Sequence, residues 1–245
     1  MKVALFCSEG DTTSAVANRL REEIGPILIV RELHEPRGLF LRRRVKKLGL
    51  VTVAGQVAFM ALANPILRRV SGGRRREIAQ GLDLTVPLPD LEVESINGDD
   101  VLEWLQRERP NVVVVNGTRI ISKRILSATD AIFINTHCGI TPAYRGSHGG
   151  YWALRDGGPC GVTVHLVDPG IDTGDIIGQR TIEPTRRDNM ATYPLLQVAA
   201  ALPVVMEAVR DPARIKAYSA SGRSAIWYHP TLWDYLWTGL TRGIW

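Results

Sequence analysis

The sequence predicts an α/β fold, a mostly parallel, twisted sheet with helices on both faces. Three observations carry this. Short β-branched runs alternate with helix-like stretches through the first 135 residues, the rhythm of strand–helix–strand units. The runs VVVV (112–115) and AIFI (131–134) are continuously apolar, as suits strands covered on both faces. And 245 residues that are 45% hydrophobic suffice to bury a full core.

Taken in order, KVALFC (2–7) reads as the first strand, TTSAVANRLREEI (12–24) as a helix and PILIVREL (26–33) as the second strand. Beyond a long insertion come a helix at DVLEWLQRER (100–109), a strand at NVVVVNG (111–117), a helical turn at SKRIL (122–126) and a strand at AIFIN (131–135). GVTVHLV (161–167) and DIIGQRTIE (175–183) read as two more strands, separated by the turn DPGIDTG. A helix from about Asp188 to Val209 follows, with Pro194 and Pro203 as candidate kinks. This places a main domain over 1–210, with the insertion at 37–80, and a short appendage over 211–245. That appendage holds four of the six tryptophans and offers itself to the main domain, to a membrane interface or to a second copy of the chain.

The net charge of +5 is unevenly spread. Pro36 to Arg76 contains eleven Lys and Arg and no acid, so the basic character belongs to this insertion and not to the fold. Its centre, LGLVTVAGQVAFMALANPIL (48–67), carries no charge. Gln56, Asn64, Pro65 and the basic residues on both flanks favour a buried core helix over a membrane span, with docking on a membrane surface as the second reading. A helical pair covering the substrate side or an anionic surface is expected here, and an insertion this long is usually functional. The N-terminal apolar run is too short for a secretory signal. Three cysteines, Cys7, Cys138 and Cys160, in no metal-ligand spacing, encode neither a disulfide framework nor a zinc site. A cytoplasmic setting is expected, with contact at the inner face of a membrane through 37–76 as an option.

INTHCGITPAYRG (134–146) ends a buried strand in polar and turn-forming residues. In open parallel sheets, sites gather at the carboxyl ends of strands. Asn135 and His137, two residues apart, point to one side of an extended backbone. An amide donor can meet a developing oxyanion and an imidazole can carry a proton, a pair suited to acyl transfer. Asp172, in the turn between two strands, could face His137 and orient it.

The stretch N-x-H-x-x-x-x-P-x-Y-R-G, followed about fifteen residues later by G-V-T-V-H-x-V-x-x-x-x-D-x-G-x-I, resembles the folate-dependent formyltransferases from about Asn111 to Ile177. These include glycinamide ribonucleotide transformylase, methionyl-tRNA formyltransferase and the sugar N-formyltransferases. The resemblance implies a Rossmann-like formyltransferase fold, with 10-formyltetrahydrofolate as co-substrate, a primary amine of a small molecule as acceptor and no metal. It implies Asn135, His137 and Asp172 as the catalytic set. The folate would lie against Asn116, Gly117, Thr118, Arg119, Ile120 and Ile121 and against Asp168, Pro169, Gly170 and Ile171, largely through backbone groups. Tyr144, Arg145, His148 and Tyr151 are candidates for the acceptor pocket, although Arg145 equally reads as a loop anchor and His148 as a packed loop residue. His165 is expected to be satisfied within the core, and Asp168 and Asp175 to be solvated turn carboxylates. Cys138 drops out as a bystander.

The sequence departs from this pattern in two places. CSEGDTTS follows the first strand where the purine-pathway enzyme has a Gly-rich phosphate loop, and Glu9 and Asp11 would repel a phosphate there. The 62 residues after Glu183 are too few for the basic barrel that follows the catalytic domain of methionyl-tRNA formyltransferase, so nucleic acid is not the expected partner. An amino sugar on a nucleotide or lipid carrier is the expected acceptor. A hydrolase of 10-formyltetrahydrofolate, using the same catalytic set, and a non-catalytic folate- or lipid-binding module are the alternatives.

Overall fold

A computed structural model describes residues 1–245. Strand β1 (Val3–Cys7) leads through α1 (Asp11–Ile24) to β2 (Leu28–Glu32). The insertion follows as four helices, α2 (Arg37–Leu48), α3 (Leu50–Ala58), α4 (Asn64–Val70) and α5 (Gly72–Ala79), with a wider π-turn at Phe59–Ala63 between α3 and α4. A pair of helices was expected there. The chain continues through β3 (Leu91–Val93), α6 (Asp99–Glu108), β4 (Val112–Asn116), α7 (Lys123–Leu126) and β5 (Ile132–His137). Then come β6 (Arg145–Gly146), α8 (Gly149–Asp156), β7 (Gly161–Leu166), β8 (Ile176–Thr181) and α9 (Tyr193–Arg210), and last β9 (Ile226–Trp227) and α10 (Leu232–Arg242).

Seven strands form one sheet in the order β3-β2-β1-β4-β5-β7-β8. The first five are parallel, and β7 runs antiparallel to both its neighbours. The strand order reverses beside β1, which puts the crevice for a ligand at the carboxyl ends of β1 and β4. Every residue of β1 and of β4 is buried. On one face, α1 and α9 close a core around Leu5, Val16, Leu20, Val114, Ile134 and Val205. On the other, Trp104 and Leu105 of α6 pack with Phe6, Val113 and Phe133. A third, aromatic cluster joins Phe59 of the π-turn, Tyr144, Tyr151 and Trp152 around α8, and Tyr235 of α10.

Two expectations about helices are corrected. The segment 48–67 is not a buried core helix. Val53, Gly55, Gln56, Phe59 and Leu67 face inward, while Leu50, Val57, Leu62 and Ile66 stand exposed. And α9 begins at Tyr193, with Pro194 in its first turn, where a missing N–H costs nothing. The residues before it are a turn: the Asp188 carboxylate accepts from Thr185 N at 2.9 Å and from Arg74 Nε at 2.9 Å, which ties α5 to the main sheet.

Glu32, at the carboxyl end of β2, is 4% exposed and accepts from the Ile96 and Arg119 amides, both at 2.7 Å. It thereby clamps the loop after β4 to the loop after β3. Removing the carboxylate leaves two peptide N–H groups without an acceptor, at about 1–3 kcal/mol each when buried. Glu32→Ala should lower the urea-unfolding free energy by about 2–4 kcal/mol and speed amide exchange at 117–121. An unchanged midpoint would show that the clamp is dispensable.

Candidate active site

Strand β5 delivers Asn135 and His137 to its carboxyl end, and the turn after β7 delivers Asp172. His137 is 6% exposed. Its Nε2 lies 2.7 Å from the Tyr144 carbonyl and its Nδ1 lies 3.3 Å from Asp172 Oδ2. A carbonyl only accepts, so Nε2 carries a proton and Nδ1 is the nitrogen that gains or loses one against the carboxylate. Burial, the largest effect, holds the imidazolium of His137 below its ordinary value, although Asp172 and the Tyr144 carbonyl pull the other way. The opposing effects suit a ring that moves a proton. Burial alone would raise the Asp172 carboxyl, but His165, the charge of His137 and the Gly146 N–H outweigh it, and Asp172 is held below the ordinary carboxylate range.

The YRG corner builds this arrangement. Tyr144 supplies the carbonyl that fixes His137. The Gly146 amide donates to Asp172 Oδ2 at 2.8 Å, and Arg145 Nη1 donates to the Ile171 carbonyl at 3.1 Å. Tyr144 and Arg145, expected in the acceptor pocket, do not line the cavity described below. The Tyr144 ring is buried in the aromatic cluster instead. Gly139 is required by the close approach of this loop, since a Cβ there would fall 2.2 Å from the Tyr144 carbonyl oxygen.

His165 is a correction. It is buried and hydrogen-bonded as expected, at 3% exposed, yet it borders the cavity rather than the sheet core. β7 runs antiparallel to β5 with Asn135 opposite His165 and His137 opposite Thr163, so all four side chains share one side of the sheet. His165 Nδ1 donates to the Leu166 carbonyl at 2.7 Å, and its Nε2 lies 3.1 Å from Asn135 Nδ2 and 3.7 Å from Asp172 Oδ1. Asn135 Nδ2 also reaches Asp172 Oδ1 at 3.4 Å. The alternation in GVTVHLV carried this signal, since Thr163 and His165 interrupt the valines at period two.

These residues close one end of a cavity of about 460 Å³. Its other walls are the loop Asn116–Ile121, the loop residues Asp168, Gly170 and Ile171, and Met190, Tyr193 and Gln197 at the start of α9, which the sequence did not point to. Pro169 stands outside the lining. The Asn116 side chain is engaged within the protein, accepting from Thr13 Oγ1 at 3.1 Å and donating to Thr136 Oγ1 at 2.7 Å. Of the peptide N–H groups from Gly117 to Ile121, only that of Arg119 is bonded within the protein. Asp168 caps its own turn, accepting from Gly170 N at 3.1 Å and Thr173 Oγ1 at 2.7 Å. Cys138 lines the cavity, but burial pushes its thiol up to about 12, too high for a nucleophile.

Tyr151 and His148 also line the cavity, and His148 Nε2 meets His229 Nδ1 at 2.7 Å. A second cavity of about 580 Å³, between α1, the π-turn, α4 and α5, meets the first at Thr12, His148, Met190 and Pro194. Glu9, Asp11, Arg68 and Arg75 bring both signs of charge to it. Asp11 is ion-paired with Arg75, so the repulsion expected against a phosphate falls to Glu9 alone.

Fold and site together define an open α/β protein with an Asn, His and Asp cluster at the carboxyl ends of its strands. Comparison with known proteins agrees in kind. A family model described as formyl transferase matches residues 1–194, and the chain belongs to that family. The methionyl-tRNA formyltransferase of Finegoldia magna is 31% identical over 118 residues, 47% of this chain and 35% of its own length. The chain thus matches only about a third of that relative. Among solved structures, a sugar N-formyltransferase from a Shewanella species superposes with a TM-score of 0.58 at 15% identity, covering 92% of this chain and 76% of that one. The formyltransferase PseJ from Anoxybacillus kamchatkensis, in complex with UDP-4,6-dideoxy-4-formamido-L-AltNAc and tetrahydrofolate, gives 0.55 at 16% identity, over 98% and 93% of the two chains. At these identities the structural likeness is one of fold.

The paired imidazoles generate a pH prediction. Burial, with Arg44 adding, pushes His148 down to about 4, and burial, His148 and Arg44 push His229 well below its ordinary value of 6.5. The unfolded chain takes up these protons near pH 6.5 and the folded chain does not. Their contribution is therefore full above that pH and is lost as pH falls towards 4. Urea midpoints should drop between pH 7.5 and pH 5, and by less in His229→Gln; the same slope in that variant would refute the assignment.

Proposed function

We infer that the protein transfers a formyl group from 10-formyltetrahydrofolate to the primary amine of a small substrate, an amino sugar on a nucleotide or lipid carrier. The observation that carries this reading is the meeting of Asn135, His137 and Asp172 in a cavity that the loops 116–121 and 168–171 also line. Membership of the formyl transferase family supports the chemistry.

The cavity fits the folate. The free peptide N–H groups of 117–121 suit the hydrogen-bonding edge of a pterin, and the backbone turn at Gly117, with φ of 76°, presents them. Ile120, 52% exposed at the rim, offers apolar contact to a ring. Asn116 through Ile121 and Asp168 through Ile171 would hold it, with Pro169 contributing only to the shape of its turn. When bound, the folate supplies a formyl carbon already activated for attack.

The protein's own groups then have separate tasks. Asn135 donates to the oxyanion that develops as the amine attacks, and the contact it gives up is the weaker one, 3.4 Å to Asp172. His137 holds or moves a proton at Nδ1, and Asp172 keeps that nitrogen oriented. The acceptor enters through the second cavity, where Glu9 suits an ammonium group and Arg68 an anionic carrier. His148 and Tyr151 stand between that entrance and the reacting end.

The test is incubation of the full chain with 10-formyltetrahydrofolate and a panel of amino-sugar nucleotides, following tetrahydrofolate and the formamide product. Amine-dependent release is expected. Folate binding without release for any amine would sink the reading, and amine-independent formate would replace it with hydrolysis. Asn135→Ala should lower kcat by roughly 10²–10³, and His137→Ala by roughly 10²–10⁴, with folate affinity nearly unchanged in both.

A further inference from the structure

The helical run from Leu50 to Val70 is long and apolar enough to cross a bilayer, yet protein covers one side of it. The Trp233 ring lies so close to Gly55 that a Cβ there would fall 2.3 Å from it. Gln56 Nε2 donates to the His229 carbonyl at 2.8 Å, and Phe59 meets Tyr235 edge to face with ring centres 4.9 Å apart. A helix tied along one side in this way cannot be wrapped by lipid, but it can lie on lipid.

Its free side is apolar. Leu50, Val57, Leu62 and Ile66 are 70%, 45%, 58% and 62% exposed. α10 extends the surface: Trp233, Leu236, Trp237 and Leu240, at helical spacing, are 49%, 44%, 70% and 78% exposed, while Tyr235 and Thr238 on its other side are buried. Trp233, itself half-exposed, packs against Gly55, so α10 lies alongside α3. Cations flank them. Arg42 and Lys46 of α2 and Arg69 of α4 have no acidic partner, unlike Arg43, Arg74 and Arg75 of the same insertion. α2 itself buries no residue.

We propose that the face formed by α2, α3, α4 and α10 docks on an anionic lipid bilayer. Trp and Leu side chains settle below the phosphate level and the unpaired cations lie at it. A second copy is the poorer occupant, because it brings the same unpaired cations to the same face and sets like charges together. The same helical run lines the second cavity with Phe59, Met60, Asn64 and Arg68, so docking of its outer side sets that cavity's wall at headgroup level.

The experiment is co-sedimentation of the full chain with phosphatidylcholine vesicles and with mixed phosphatidylcholine–phosphatidylglycerol vesicles, read alongside tryptophan fluorescence. Binding to the anionic vesicles, weakened by salt and accompanied by a blue shift, is expected. The double variant Trp237→Glu/Leu240→Glu should bind at least about tenfold more weakly, since two buried apolar side chains are lost, while its thermal midpoint and folate binding stay unchanged. Failure to bind anionic vesicles, or equal binding by the double variant, overturns the proposal. So does a dimer in solution that the same variant dissolves, which would give the face to a second copy. Vesicle binding needs no turnover, so its failure leaves the formyl-transfer reading standing, and failure of formyl transfer leaves the docking result standing.

Discussion

The contact between His137 and Asp172 is the constraint around which the site is built. It joins residues 35 positions apart in sequence (172 − 137) at 3.3 Å, and neither partner could be buried there alone without a large desolvation cost. The protein satisfies both from the same short corner: the Tyr144 carbonyl takes the far nitrogen of the imidazole and the Gly146 amide takes the carboxylate. Arg145, between them, braces the turn that carries Asp172. A stretch that looks like a candidate for binding substrate thus works through its backbone, holding His137 and Asp172 in register.

That corner is in turn held by the periphery. β6 pairs with β9, a strand formed by the Trp-rich residues late in the chain, and Trp227 Nε1 donates to the Ala143 carbonyl at 2.9 Å. The Trp152 and Trp227 rings stack with centres 4.9 Å apart. The aromatic appendage and the insertion therefore support the site from outside the sheet, and they meet each other at Gly55 and Trp233. Because both also carry the exposed apolar stripes, the surface that would touch lipid is mechanically continuous with the loop that orients His137.

Much of this was legible in the sequence, for physical reasons that differ by element. β1, β4 and β5 announce themselves because strands buried on both faces leave continuous apolar runs. Asn135 and His137 stand out because polar side chains at the end of a buried strand are costly to desolvate unless partners or a ligand meet them, and Asp172 stands out through the formyltransferase-like spacing of its turn. β3, three residues long and only partly buried, left no pattern to read. The place of His165 beside the cavity was missed because it depends on β7 pairing antiparallel with β5, a matter of topology that a single strand's sequence does not encode. The segment 48–67 was misjudged for the opposite reason: composition measures how apolar a helix is, and says nothing of how much protein lies against it. The neighbours of α9, Met190, Tyr193 and Gln197, reach the cavity only through the way α9 packs across the sheet.

In the proposed function, the end of β5 and the turn after β7 form a formyl-transfer site with a folate lying against backbone. A crystal structure of the full chain with 5-formyltetrahydrofolate, a stable stand-in for the formyl donor, tests it most directly. The ring system is expected against Gly117–Ile121 and the 168–171 turn, with the linkage to the folate's aminobenzoyl group passing beside Asn135 and His137. A folate bound elsewhere, or a cavity that stays empty at saturating ligand, would contradict it.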